Sequence, residues 1–169
     1  MTPRSACWRA RPWPGWVSMC RTWALSTLSC WDVKLTEELR TVLELVVSEL
    51  VTNTVRHGGP LQEYVTVRLL ALDELLLLEV IDTSRIHHLP KPAEADDQDE
   101  GGRGLALVDA LSYQWGHYPT KDGKSVWALL GSPPQAALPL PLPRRWKRPG
   151  TDAYQRARPN PRIYDAIPA

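Results

Sequence analysis

Nine of the sixteen prolines in this 169-residue chain lie after position 131, and that asymmetry limits how much of it can fold. Proline has no amide N–H to donate and a fixed φ. Pro133-Pro134 and the run Leu138-Pro139-Leu140-Pro141-Leu142-Pro143 therefore cannot build a regular hydrogen-bonded ladder. The same stretch holds seven basic residues against Asp152 and Asp165. Residues 132–169 are expected to form an extended or disordered basic tail, removable without loss of folding. About 130 residues remain, enough for one domain of ordinary size. Charge divides the chain in the same way. Residues 1–31 carry Arg4, Arg9, Arg11 and Arg21 and no acid, and subtracting both ends from the overall +1 leaves −8 for residues 32–130. The overall charge of +1 suggests neither a nucleic-acid coat nor a strongly acidic carrier. Cys7, Cys20 and Cys30 are odd in number and confined to the first thirty residues, so no disulfide framework is indicated and a reduced compartment is expected. No apolar run approaches the ~20 residues of a membrane helix. Pro12, Pro14 and Arg21 interrupt any signal-peptide core. The expectation is a cytoplasmic protein with neither membrane nor direct nucleic-acid binding.

The expected boundaries are a poorly defined segment 1–18, a domain 19–131 and the tail 132–169. Five of the eight tryptophans fall in the first thirty-one residues, and phenylalanine is absent altogether. Met19 to Trp31 spaces Trp23, Leu28 and Trp31 for one amphipathic helix. The next segment is clearer. Thr36 reads as an N-cap with Glu37 and Glu38 in the first turn, where the helix dipole favours acids. Leu39, Leu43, Val46, Val47, Leu50 and Val51 then recur at helical spacing to about Arg56, where Gly58-Gly59-Pro60 stops the helix. Tyr64 to Leu70 and Leu75 to Ile81 read as strands across the turn Asp73-Glu74. Residues 83–101, with five acids between Glu94 and Glu100, read as a long mobile loop. Gly101-Gly102-Arg103-Gly104 opens a short helix over Leu105–Leu111. Tyr113–Tyr118 and Ser125–Leu130 form a last hairpin. That order suits an α+β two-layer sandwich, with helices on one face of a mixed, mostly antiparallel sheet.

Three places on this frame could carry chemistry. Glu49 and Asn53 are one helical turn apart, so they share a side within an otherwise apolar stripe, and burying either alone costs several kcal/mol by order of magnitude. A bound Mg²⁺ would satisfy the Asn53 oxygen and a polarised water or hydroxyl would satisfy Glu49. A solvated helix face or an intrahelical hydrogen bond explains the pair equally well. Asp82 ends an apolar strand ahead of Thr83-Ser84, where it either caps a turn or accepts an exocyclic amine inside an apolar slot. The glycine cluster at 101–104 is either a plain turn or a cradle for an anion at a helix N-terminus. His57, His87, His88 and His117 fit no zinc spacing. No nucleophile elbow or P-loop occurs.

Taken in order, these segments resemble one family. Glu49-Leu-Val-Thr-Asn53-Thr-Val-Arg-His57-Gly is similar to the first box of the GHKL (Bergerat-fold) ATP-binding superfamily, Val80-Ile-Asp82-Thr-Ser84 to its second, and Gly101-Gly-Arg-Gly-Leu105 to its third. The helix from Ser48 and the ending Trp115-Gly…Gly123-Lys-Ser-Val-Trp127-Ala resemble the single-domain anti-sigma-factor serine/threonine kinases of actinobacterial type. The likeness covers about residues 19–130.

The resemblance implies an ATP site between helices and sheet, closed by the loop 83–101. Glu49 would be the general base and Asn53 the Mg²⁺ ligand. Asp82 would bind adenine, while His57, Gly102, Arg103, Gly104 and Leu105 complete the nucleotide site. The implied reaction transfers the ATP γ-phosphoryl group to a serine or threonine of a STAS-type anti-anti-sigma partner, with a sigma factor as second partner and a homodimer as a further possibility. An ATP-binding signalling module without efficient transfer is the alternative. Three departures stand out: Ser84 replaces the superfamily's glycine, the first thirty residues match poorly, and the tail has no counterpart.

Overall fold

The computed structural model describes residues 4–13, 15–57, 64–72, 75–83, 100–121 and 123–131. The expectations for the loop at 84–99, the stop at Gly58-Gly59-Pro60 and the tail 132–169 lie outside these residues. The chain builds, in order, β1 (Arg4–Ala10), α1 (Trp16–Cys30), α2 (Glu37–His57), β2 (Val65–Leu72), β3 (Leu75–Asp82), α3 (Glu100–Leu111), β4 (Gln114–Pro119) and β5 (Lys124–Gly131). The strands form one sheet in the order β1-β2-β3-β5-β4. Every pairing among the described residues is antiparallel, so the sheet is not mixed.

Helix α2 forms where the periodicity places it. The amide N–H of Leu39 donates to Thr36 Oγ1 at 3.1 Å, which is the expected cap. Leu43, Val46, Val47, Leu50 and Val51 are buried against Val65, Val67, Leu69, Val80 and Val126 of the sheet. Full burial of each such side chain is worth about 1.5–3 kcal/mol, so this single stripe holds α2 onto the sheet. At the far end of the layer, α1 packs on α2, with Arg21 Nη1 donating to Ser48 Oγ at 3.0 Å.

Two regions differ from the sequence expectation. A strand, β1, forms ahead of residue 19, and α1 starts at Trp16 rather than Met19. In β1 only Ala6, Trp8 and Ala10 turn inward, and the register against β2 fixes them opposite Leu69, Val67 and Val65. Tryptophan supplies the volume that phenylalanine would give elsewhere: Trp8 stacks on Trp23 at 5.6 Å, and Trp16 meets Trp23 edge-on at 5.1 Å. These contacts clamp the edge strand to α1. The second difference is α3, which starts at Glu100 and takes the glycine cluster into its first turn.

Candidate functional site

Helix α2 presents its buried stripe to the sheet and a flank to α3. Glu49 and Asn53 lie on that flank and are both half-buried. Gly104, in the first turns of α3, faces them directly. A Cβ at Gly104 would overlap Glu49 Oε2, with Glu49 Cδ at 3.3 Å and Asn53 Nδ2 at 3.8 Å. The absence of a Cβ at Gly104 therefore leaves room for the Glu49 carboxylate against α3, a role that the pattern of glycines alone does not reveal. Leu105, 3% exposed, anchors the start of α3 in the core. Gly102 and Arg103 precede it in the same helix, and His57 is the last residue of α2.

Asp82 closes β3 on the helix-facing side, two residues beyond the core residue Val80. It is 1% exposed. Its neighbours across the ladder are Val65 and Lys124. Next to it, Thr83 Oγ1 accepts from Tyr64 N–H at 3.3 Å and donates to the Tyr64 carbonyl at 2.9 Å, extending the β2–β3 pairing by one residue. Gly123 packs on the Asp82 backbone so closely that a Cβ there would collide with the Asp82 carbonyl and lie 3.0 Å from Thr83 Cα. Gly123 is thus required for the close approach of its own backbone to that of Asp82 and Thr83.

Sequence reasoning missed the partner of Asp82. Lys124 Nζ lies 3.9 Å from Asp82 Oδ2, and both side chains are nearly inaccessible. Burial pushes the Lys124 ammonium below the usual lysine range, while the Asp82 carboxylate pulls it back up. Only the pairing of β3 with β5 brings these two residues together. His117, on β4 opposite Val126, belongs to the same buried corner, and burial followed by the charge of Lys124 lowers its pKa from 6.5. Among the described residues, no three His, Cys, Asp or Glu side chains are placed to hold a metal ion. A divalent ion here would rest on the Asn53 amide oxygen together with oxygens of a ligand and water, a donor set that suits Mg²⁺. The Cys20 thiol is pushed up to about 12 by burial, which removes it as a nucleophile.

Residues 16–129 match the family model described as the histidine kinase-like ATPase domain. The chain belongs to that family. No curated protein matches it. The antiparallel α+β sandwich is the architecture of a histidine kinase-like ATPase domain, and membership implies that the chain binds ATP. In this ATPase domain the described structure joins Glu49, Asn53 and Gly104 into one cluster and seats Asp82 on the same side of the sheet as the helices. No helix among the described residues is long and apolar enough to cross a membrane.

Two expected results follow from this geometry. Gly104→Ala must displace the Glu49 carboxylate, a flexible group, so folding should survive and helix propensity should even improve by about 0.5–1 kcal/mol. ATP affinity should nonetheless fall, because the carboxylate, displaced rather than removed, turns its charge toward the start of α3, where phosphates would bind. Calorimetry of ATP binding beside a melting curve checks this, and an unchanged affinity would show that Glu49 has room to move. The second result concerns acid. His117 takes up a proton at about 6.5 in the unfolded chain but only at lower pH when folded. The unfolded state therefore binds more protons below pH 6.5, and stability is lost as pH falls from there through the folded pKa. Melting temperatures between pH 7.5 and 5 should drop more steeply for the parent than for His117→Gln. Parallel slopes would exclude His117 as a contributor.

Proposed function

We propose that this ATPase domain is a regulatory serine/threonine protein kinase of anti-sigma type, acting in the cytoplasm on a STAS-type anti-anti-sigma protein and holding a sigma factor. The observation that supports it is the meeting of Glu49 and Asn53 with Gly104, because it brings the carboxylate, the amide and the start of α3 to one point. Glu49 accepts the proton of the attacking serine or threonine hydroxyl as its oxygen bonds to the γ-phosphorus, and ADP leaves with the bridging oxygen. Asn53 offers its amide oxygen to Mg²⁺, which when bound neutralises charge on the phosphate oxygens. His57, Gly102, Arg103, Gly104 and Leu105 frame the phosphates, and the amides at the start of α3 favour anions there. Asp82 accepts the exocyclic amine of adenine and shares its carboxylate with Lys124.

The test is a capture experiment. The intact chain, loaded with Mg·ATP, is used to retain partners from its native cytoplasm, and transfer of radiolabelled γ-phosphate to a retained protein is measured. Label on a serine or threonine of a STAS-type protein supports the reading. Retention of a partner without any transfer would favour a signalling module that binds ATP and exerts control through contacts alone.

A further inference from the structure

At the end of β3, one row of residues crosses the helix-facing side of the sheet in register: Val65, Asp82, Lys124 and Pro119. The next row is Val67, Val80, Val126 and His117. The valines of both rows belong to the core, so Asp82 and Lys124 stand at its apolar border. Their side chains are 1% and 10% exposed. Pairing with a carboxylate explains why a lysine is tolerated there. The distance between them adds something further. Lys124 Nζ and Asp82 Oδ2 are 3.9 Å apart, beyond the roughly 2.7–3.2 Å of an N–H···O hydrogen bond. The two backbones are direct partners in the β3–β5 ladder, so both side chains leave the same face of the sheet side by side.

A carboxylate only accepts hydrogen bonds, and a lysine nitrogen in its ammonium form only donates. Burial favours the neutral amine of Lys124 and the Asp82 charge favours the ammonium, and both forms donate N–H. The pair therefore sets an acceptor beside a donor. Adenine carries the complement on one edge, where its amine donates and the ring nitrogen next to it accepts. Hydrogen bonds of about 2.9 Å that fan out slightly from these two neighbouring atoms end on groups 3.9 Å apart. Guanine held in the same way puts a carbonyl where adenine has its amine, and that carbonyl would oppose the Asp82 carboxylate.

We propose that Lys124 donates to the adenine ring nitrogen beside the amine, N1 on one side or N7 on the other, while Asp82 holds the amine itself. This rests on the assignment of Asp82 to adenine. It makes Lys124 a specificity residue of the nucleotide site and gives the ion pair a second use. In the free protein each group offsets the charge of the other. With adenine bound, each gains a partner of opposite hydrogen-bonding sense, so that neither buried group is left stranded by the base.

The test uses the intact chain with Mg²⁺ and a set of ATP analogues, with affinities read by calorimetry. Purine riboside triphosphate lacks the amine and should bind the parent roughly 10- to 150-fold more weakly than ATP, as the loss of a hydrogen bond to a charged group predicts. 1-Deaza-ATP and 7-deaza-ATP each lack one ring nitrogen. One of them should show a loss of the same order and the other should match ATP, which also tells which edge of the base meets Lys124. In Lys124→Met that deaza loss should vanish, because ATP itself has fallen to the affinity of the analogue. The weaker binding of purine riboside triphosphate should persist there, since Asp82 remains. The double variant Asp82→Ala/Lys124→Met leaves no charge stranded and should bind all of these nucleotides alike. If both deaza analogues bind the parent as tightly as ATP, the proposal is overturned while the Asp82 assignment stands, and that series depends on no variant folding. A deaza loss that survives in Lys124→Met overturns it as well, because another donor would then read the ring. So does a uniform drop in affinity for every nucleotide in Lys124→Met, the pattern of a structural role alone. Full-strength binding of purine riboside triphosphate by the parent removes the Asp82 assignment, and the proposal falls with it.

Discussion

Replacing Glu49 with alanine should leave ATP affinity within a few-fold of the parent while phosphotransfer to a captured partner falls by about 10²–10⁴. The carboxylate lies against Gly104 and beside Asn53, yet its assigned task is to take a proton from the attacking hydroxyl, which touches only the transfer step. Asn53→Ala should fail earlier, because it removes the amide oxygen that Mg²⁺ would use, and with it Mg²⁺-dependent ATP binding. Partner capture should survive Glu49→Ala, since holding a partner needs only the ATP-loaded shape. Calorimetry with and without Mg²⁺, followed by a transfer assay on the retained partner, separates the two variants. Wild-type transfer by Glu49→Ala would remove the general-base assignment. Equal loss of binding in both variants would mean that Glu49 acts on the shape of the site and not on the proton.

The second large effect is expected at Asp82. A hydrogen bond to a charged group is worth about 1.5–3 kcal/mol, so Asp82→Ala should weaken ATP binding roughly 10- to 150-fold and erase preference over GTP. The ion pair with Lys124 complicates the single variant. Removing one partner of a buried pair strands the other, at a cost of about 3–5 kcal/mol. Lys124 is already pushed toward its neutral form by burial, and the Asp82 carboxylate raises it again, so losing Asp82 shifts it further toward neutral. The double variant Asp82→Ala/Lys124→Met should therefore regain thermal stability without regaining ATP affinity. Should affinity return with stability, Asp82 is a structural anchor for Lys124 and does not read the base.

Local signals in the sequence were sufficient for most of the frame. The period of α2, its Thr36 cap and the acids after it are short-range properties, and the structure keeps them because the same stripe is what the sheet needs covered. The two hairpins are equally legible, since alternation and turn residues act within a few positions of each other. The residues of the candidate site were also visible as polar intrusions into apolar patterns: Glu49 and Asn53 in the helix stripe, Asp82 at the end of a strand.

What the tertiary structure decided was everything that depends on a neighbour distant in the chain. β1 has one large inward side chain, Trp8, too little for a pattern, and it becomes a strand by pairing with β2 and by its stack on Trp23. Gly101 and Gly102 disfavour helix by about 1 kcal/mol each, so propensity alone starts α3 at Leu105. Packing instead draws the helix back to Glu100, with Gly104 seated on Glu49. The Asp82–Lys124 pair, and the hydrogen bonds that Glu79 of β3 accepts from Ser125 and Tyr118, exist only because the sheet sets β5 and then β4 beside β3. Sequence periodicity states which side of an element a residue takes. Which charge stands opposite it is set by strand order, and strand order is a property of the assembled sheet.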